Sequence, residues 1–281
     1  MRSDMDGEER HCEAQGWRVT VRSARMSGEE ERERLHASLD TPSLPEMVFG
    51  GSTVELRHVH TGVVLRFCAS DALCDVHDVD VPKVRAAERW METHRDDPHA
   101  VLAQSYDWTY TTSYRGTLVQ PAGPSSRQAW RWRPTTRRID RTELLRRDPI
   151  RFYDELVLYE SELDDHGASQ LAVKLRVMPR CAYVLLRHWL RVDGVLVRLR
   201  DTRTYVDLAN GRPDEVVALR EHTRHEASAS QLQDMGMSID GKAFRSAEAT
   251  AQALEATSPA SVVLLEAEEL VAGVGEDAAS A

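Results

Sequence analysis

The chain has 281 residues, 41% of them hydrophobic and 29% charged, enough for one large domain with a real core and a solvated surface. Lys and Arg number 36 against 46 Asp and Glu, a net charge of −10, which weighs against nucleic-acid or anionic-membrane binding because phosphates reward positive charge. No apolar run approaches the ~20 residues that span a bilayer, and the opening MRSDMDGEERHCE lacks the apolar stretch of a secretory signal, so a cytoplasmic protein is expected.

Residues 1–15 are polar and read as a flexible N-terminal arm, followed by a single domain over 16–245. Ser27 with Glu30 three residues on resembles a capping box and predicts a short helix over 29–39. Val54 and Leu56 alternate with Glu55 and Arg57. His60-Thr61-Gly62 then turns the chain into 63–67, a hairpin with one apolar face. Pro82 predicts the first turn of a helix over 83–94, and 139–147 suits another short helix.

Strand signals dominate the second half of the chain. The run 156–163 leads through Asp164-Asp165-His166-Gly167 into 171–178, where Val173, Leu175 and Val177 face one way and Lys174 and Arg176 the other. Pro179 breaks that strand and 183–192 resumes. Asp193-Gly194 then predicts a two-residue type I′ turn into 195–200. A four-stranded antiparallel meander over 153–203, together with the strands of 48–67, makes an α+β protein of mostly antiparallel sheet with a few short helices packed on it. The segment 246–281 is acidic and Ala-rich and reads as a largely disordered tail, interrupted by the apolar residues 262–265, which suit a short docked strand or helix, with disorder expected beyond Glu266. Cys12, Cys68, Cys74 and Cys181 form no C-x-x-C pair and read as reduced thiols.

Catalytic grammar is sparse. The sequence holds no phosphate-cradling G-x-x-x-x-G-K-[ST], no dinucleotide-binding G-x-G-x-x-G, no G-x-S-x-G elbow and no H-E-x-x-H. The best metal candidates are His58 and His60 with Asp75, His77, Asp78 and Asp80, since imidazole and carboxylate suit divalent ions; the competing reading is a pair of exposed hairpin histidines and a solvated acidic loop ahead of a helix. On these two clusters rests the alternative of a metal-dependent hydrolase. His222 and His225 stand three apart without a third ligand nearby. Asp154, Glu155, Glu160, Glu162, Asp164 and Asp165 read as an acidic strand and turn rather than an acid/base pair. Four aromatics and four threonines crowd 106–117, a strand that serves either sheet packing or partner recognition.

LPEMVFG at 44–50, SDAL at 70–73, YDWTYTTSYRGTL from Tyr106, LYESELDDHGAS at 158–169 and KLRVMPRCAYVLLRHWLRVDGVLVRLRDTR at 174–203 together resemble the TIPRL family of TOR-signalling pathway regulators. The resemblance covers roughly 16–226. It implies a mostly antiparallel sheet core and a non-catalytic regulator, without cofactor or metal, that binds the catalytic subunit of type 2A protein phosphatases and their close relatives. The alpha-four phosphatase-binding protein is a further candidate partner, and a monomer is expected. Partner-touching positions of the family map onto Asp71, Ile139, Leu199 and Asp201. On that mapping Asp71 and Asp201 meet phosphatase cations while Ile139 and Leu199 fill a dry centre. A groove at the sheet could also take an extended phosphatase tail, its carboxylate met by Arg176, Arg187 or Arg198. A scaffold for an unrelated protein client is the remaining alternative.

Overall fold

Alternating burial along strand after strand builds two antiparallel sheets. A computed structural model describes residues 7–39, 41, 43–76, 108–121, 129–147, 149–209, 215–239, 242–257 and 262–273. The smaller sheet joins β1 (Glu8–Ala14), β2 (Trp17–Ser23), β4 (Thr53–His58), β5 (Val64–Cys68) and β6 (Thr117–Val119) in that order. The larger has eight strands in the order β3-β8-β9-β10-β11-β12-β13-β7, with β3 at Met47–Val48, β7 at Ala129–Pro134, β8 at Phe152–Ser161, β9 at Gly167–Val177, β10 at Cys181–Val192, β11 at Leu196–Asp207, β12 at Ala218–Ser228 and β13 at Val262–Gly273.

The meander is longer than its sequence signals: β8 through β12 are consecutive antiparallel neighbours, and β13 continues the series. Val173, Leu175, Val184 and Leu186 on its inner face share one core with Val19, Val21, Val54, Leu56 and Phe67 of the smaller sheet. This is the expected outcome when two one-sided sheets bury their apolar faces against each other. The outer face of the large sheet carries a separate apolar cluster under the C-terminal helices.

The helices are short. α1 (Glu29–Ser38) follows the predicted span, but its N-cap is Gly28 and no side chain caps it; the Ser27 hydroxyl instead accepts the Gly50 amide at 3.0 Å. α2 (Ala69–Cys74) follows β5 directly. Of the helix expected over 139–147 only α3 (Arg141–Leu144) forms, begun by Asp140, whose carboxylate accepts the Thr142 amide at 2.8 Å. α4 (Ala229–Asp234) carries a true capping box from Ser228 and Gln231. A 3-10 turn at Lys242–Phe244 and α5 (Ala247–Thr257) complete the set. The helix expected over 83–94 lies outside the described residues.

Three further expectations meet a different structure. The loop joining β10 to β11 has three residues, because Val192 pairs with Leu196, and within it only Gly194 has positive φ. Residues 8–14, read as a loose arm, form β1; it pairs with all of β2, and Arg10 both salt-bridges Asp154 and lies 5.7 Å over the Phe152 ring. Within the segment read as a largely disordered tail, residues 247–257 form α5, and the apolar 262–265 do dock, as the start of a strand β13 that runs on to Gly273 and is hydrogen-bonded to β12 and β7. Composition missed these segments because their apolar residues (Leu254, Ala267, Leu270) are few but fully placed, and because the Glu268 carboxylate finds buried cations.

Candidate protein-binding face

The pairing register decides which side chains share the outer face of the large sheet. Arg187 stands opposite Asp201, and Asp201 opposite Thr223; two residues along, Trp189 stands opposite Leu199, and Leu199 opposite His225. Directly paired residues project to the same side. Lys174, Arg176, Tyr183, Arg203, Tyr205 and Glu221 fall on that side by the same register.

Asp201 is the electrostatic centre of the face. Arg187 donates from Nε to Oδ1 at 2.8 Å and from Nη2 to Oδ2 at 2.7 Å, and Arg203 Nη2 donates to Oδ2 at 2.6 Å. Arg203 Nη1 reaches the Thr223 hydroxyl at 2.9 Å. Burial by itself would raise the Asp201 pKa, but the two guanidinium groups outweigh it and hold the carboxyl below the ordinary range. Beside it Glu221 accepts the Ile139 amide at 2.9 Å, with Arg141 at 3.9 Å, so the chain ahead of α3 is tied to β12. The Tyr183 phenol is pushed up by burial.

The four mapped residues do not stand equally. Ile139, Leu199 and Asp201 gather at the outer face, but they are only 5%, 3% and 6% exposed. Leu199 belongs to the cluster of Trp189, Val197, Leu232, Phe244 and Leu254. In the folded chain, therefore, Ile139 and Leu199 present almost no surface, and the Asp201 carboxylate is already saturated by its own arginines. Asp71 lies apart, on α2 of the other sheet, with a side chain 25% exposed. Arg66 Nη2 donates to its Oδ2 at 2.9 Å and the Thr117 hydroxyl donates to the same atom. These bonds outweigh the upward push of burial and leave its pKa below the ordinary value. Of the three arginines considered for a tail carboxylate, Arg176 and Arg187 share this face, whereas Arg198 points to the opposite side and pairs with Glu226 at 2.6 Å.

Among the described residues the metal candidates do not assemble. His58 is buried rather than on the outside of its hairpin, 5.0 Å from the Trp17 ring centroid and 5.7 Å from that of His60, with Nδ1 at 2.9 Å from the Thr61 hydroxyl. His77, Asp78 and Asp80 lie outside the described residues. Among the described residues no three His, Cys, Asp or Glu side chains could hold an ion together. Asp154 pairs with Arg10, Glu155 with Lys174, and Glu160 with Gln170.

The described part of the aromatic strip, from Trp108 onward, is not a strand but a strap between the sheets. Tyr110 adopts φ +54° and donates its hydroxyl to the Leu44 carbonyl at 3.0 Å. Thr112 donates to Ala72 O at 2.9 Å, and Tyr114 to Arg66 O at 3.0 Å. The hydroxyl-rich pattern reflects this service: an irregular buried backbone must have its carbonyls satisfied by side chains.

One polar cluster escaped the sequence reading. On the inner face Arg220 donates from Nε to Glu268 Oε2 at 2.6 Å and stacks 4.2 Å from the Trp132 ring centroid. His222 Nε2 meets the same oxygen at 3.0 Å, and its Nδ1 the Thr202 hydroxyl at 2.8 Å. Arg115 Nη1 donates to Glu266 at 2.5 Å. The histidine spacing 222–225 is the only signal, and it misleads, because residues three apart on a strand face opposite ways. A cavity of about 70 Å³ opens beside this cluster, lined by Arg115, His188, Arg200, Thr202, His222 and Leu265.

A family model for the TIP41-like family matches residues 47–233. The chain belongs to the TIP41-like family. It is 40% identical over 225 residues to the human TIP41-like protein, covering 79% of each chain. It is 39% identical over 219 residues to the Arabidopsis thaliana TIP41-like protein, covering 74% of each. The Saccharomyces cerevisiae relative, the type 2A phosphatase activator TIP41, is 32% identical over 200 residues, 66% of this chain and 53% of that protein. All four mapped residues lie inside the TIP41-like match; the 3-10 turn, α5 and β13 lie beyond it.

Proposed function

We propose that this chain is a non-catalytic regulator of type 2A protein phosphatases that binds their catalytic subunit in the cytoplasm and acts in TOR signalling. The relatives named as type 2A phosphatase activators support the phosphatase class. The observation that carries a binding mode is the convergence of Ile139, Leu199 and Asp201 on one sheet face with Arg176, Arg187, Tyr183 and Tyr205. Tyr and Arg are the residues that anchor protein interfaces. Arg176 and Tyr153 are exposed groups of that face, on neighbouring strands and paired in register. Asp71 contributes from the second sheet, and the net charge of −10 steers the chain toward the cationic mouth of a phosphatase, mostly through association rate. The alpha-four protein is a further partner under the same reading.

The test is retention of a purified type 2A catalytic subunit by the immobilised full chain. Wild type retains it, and Arg176→Glu weakens retention by about tenfold, as loss of a well-placed interface charge does. Absence of retention by wild type ends the reading; equal retention by the variant moves the interface off this face. Phosphopeptide turnover by the purified chain alone would overturn the non-catalytic assignment.

A further inference from the structure

The apolar half of the outer face is occupied, and its occupant belongs to the chain itself. Phe244 and α5 lie on β11 and β12, burying Leu199 together with Trp189, Val197 and Ala227. This segment begins after the TIP41-like match has ended at Gln233. α5, AEATAQALEAT, has no Lys or Arg and a single large apolar residue, Leu254. Its acidic groups meet the cations of the face: Glu248 takes a 2.5 Å bond from Lys174, and the charge of Glu255 acts on Arg187. Glu248 and Glu255 stand seven residues apart, on one side of the helix.

The cover is also imperfectly made. Trp189 Nε1 on the sheet and the Thr250 hydroxyl on α5 are buried, and neither has a hydrogen-bond partner among the described residues. A buried polar atom left unpaired weakens the packing that buries it. Most of the helix side chains in the contact are alanines, which contribute little apolar area each.

We infer that α5 is a displaceable stand-in for the partner, an acidic amphipathic segment that covers the Leu199 end of the binding face until a similarly acidic, apolar-sided segment of the phosphatase catalytic subunit takes its place. The inference rests on the reading of that face as the phosphatase-binding one. It accounts for a mapped contact residue, Leu199, being 3% exposed: the uncovered form is the minor one, and the apparent affinity is reduced by the fraction of chains that are open.

Two full-length variants push the cover in opposite directions. Leu254→Ala loosens it and Thr250→Val tightens it, by removing the unpartnered hydroxyl without changing the shape. With a cover open in roughly a tenth of the chains, Leu254→Ala raises affinity for the catalytic subunit up to about tenfold and Thr250→Val lowers it several-fold. Hydrogen exchange on the wild-type complex reads the displacement directly: α5 amides lose protection on binding while β11 amides keep theirs. Equal affinities of wild type and Thr250→Val, with α5 still protected in the complex, overturn the cover and leave the regulator reading standing. If Leu254→Ala does not fold, Thr250→Val and the exchange measurement decide. Absence of binding by every form overturns both.

Discussion

Arg187 and Asp201 face each other across β10 and β11 in a forked pair, two parallel hydrogen bonds of 2.8 and 2.7 Å, with both side chains nearly out of solvent. A geometry this closed makes the pair a structural element of the face before it is anything else. Asp201→Ala leaves the Arg187 guanidinium buried beside Arg203, and chemical denaturation is expected to show a loss of about 3 kcal/mol. The double variant Arg187→Met, Asp201→Leu recovers most of it, because two packed apolar groups replace two desolvated charges. A double variant as unstable as the single one would show that Arg203 or Thr223 holds the charge in place.

Acid destabilises the protein in two steps. His188 is buried, its pKa pushed down to about 3 by desolvation and by Arg200 and Arg198; burial also lowers that of His222. The unfolded chain takes up these protons near the ordinary histidine value and the folded chain does not, so stability is complete above about pH 6.5 and falls below it. Glu268 is held at about 2, since hydrogen bonds from His222 and Arg220 outweigh burial. Its contribution is present above the ordinary carboxylate value and disappears as pH falls from about 4.5 toward 2. Denaturation midpoints across pH 3–8 are expected to flatten in the upper window for His188→Leu and in the lower window for Glu268→Gln. An unchanged profile in either variant removes that group from the account.

Two glycines with positive φ separate strain from clash. At Gly167, φ +155°, an added Cβ falls 2.0 Å from the Arg191 carbonyl oxygen, whereas at Gly194, φ +69°, it meets nothing within 4 Å. Gly194→Ala is expected to cost about 1 kcal/mol, the left-handed backbone penalty alone. Gly167→Ala must push β10 away from β9 and is expected to cost well beyond that. Equal thermal shifts for the two would contradict the close approach.

Asp71 offers a cleaner probe of binding than the buried residues do. Asp71→Asn weakens the bonds from Arg66 and Thr117 at a partly exposed site, and a loss of about 1 kcal/mol in stability is expected. Under the proposed function it lowers retention of the phosphatase catalytic subunit more than that loss explains. Full retention by a folded variant takes Asp71 out of the interface.

Local pattern carried much of the fold. Alternation over 54–57 and 171–178, the turn residues at 61–62 and 164–167, and the break at Pro179 are legible because a strand exposing one face to water must alternate, and a turn must admit unusual backbone. The same logic misjudged the aromatic strap: threonine and tyrosine suit strands, yet here they serve as hydrogen-bond donors to buried carbonyls. Family resemblance also named the four mapped positions. It could not say that Leu199 lies under α5 or that Asp201 is already paired, since both depend on which strand lies opposite.

Sequence by itself determined the antiparallel sheet character, the scarcity of catalytic motifs, the negative charge and the TIP41-like kinship, all properties of residues near one another in the chain or summed over it. Tertiary structure alone decided that residues 8–14 and 262–273 are strands, that Arg220, His222 and Glu268 form one network, and that α5 covers the outer face of the large sheet. The physical reason is common to all three. A short or acidic segment gains much of its stability from partners distant in the chain, and a carboxylate that composition counts as solvated becomes a core group once buried cations surround it.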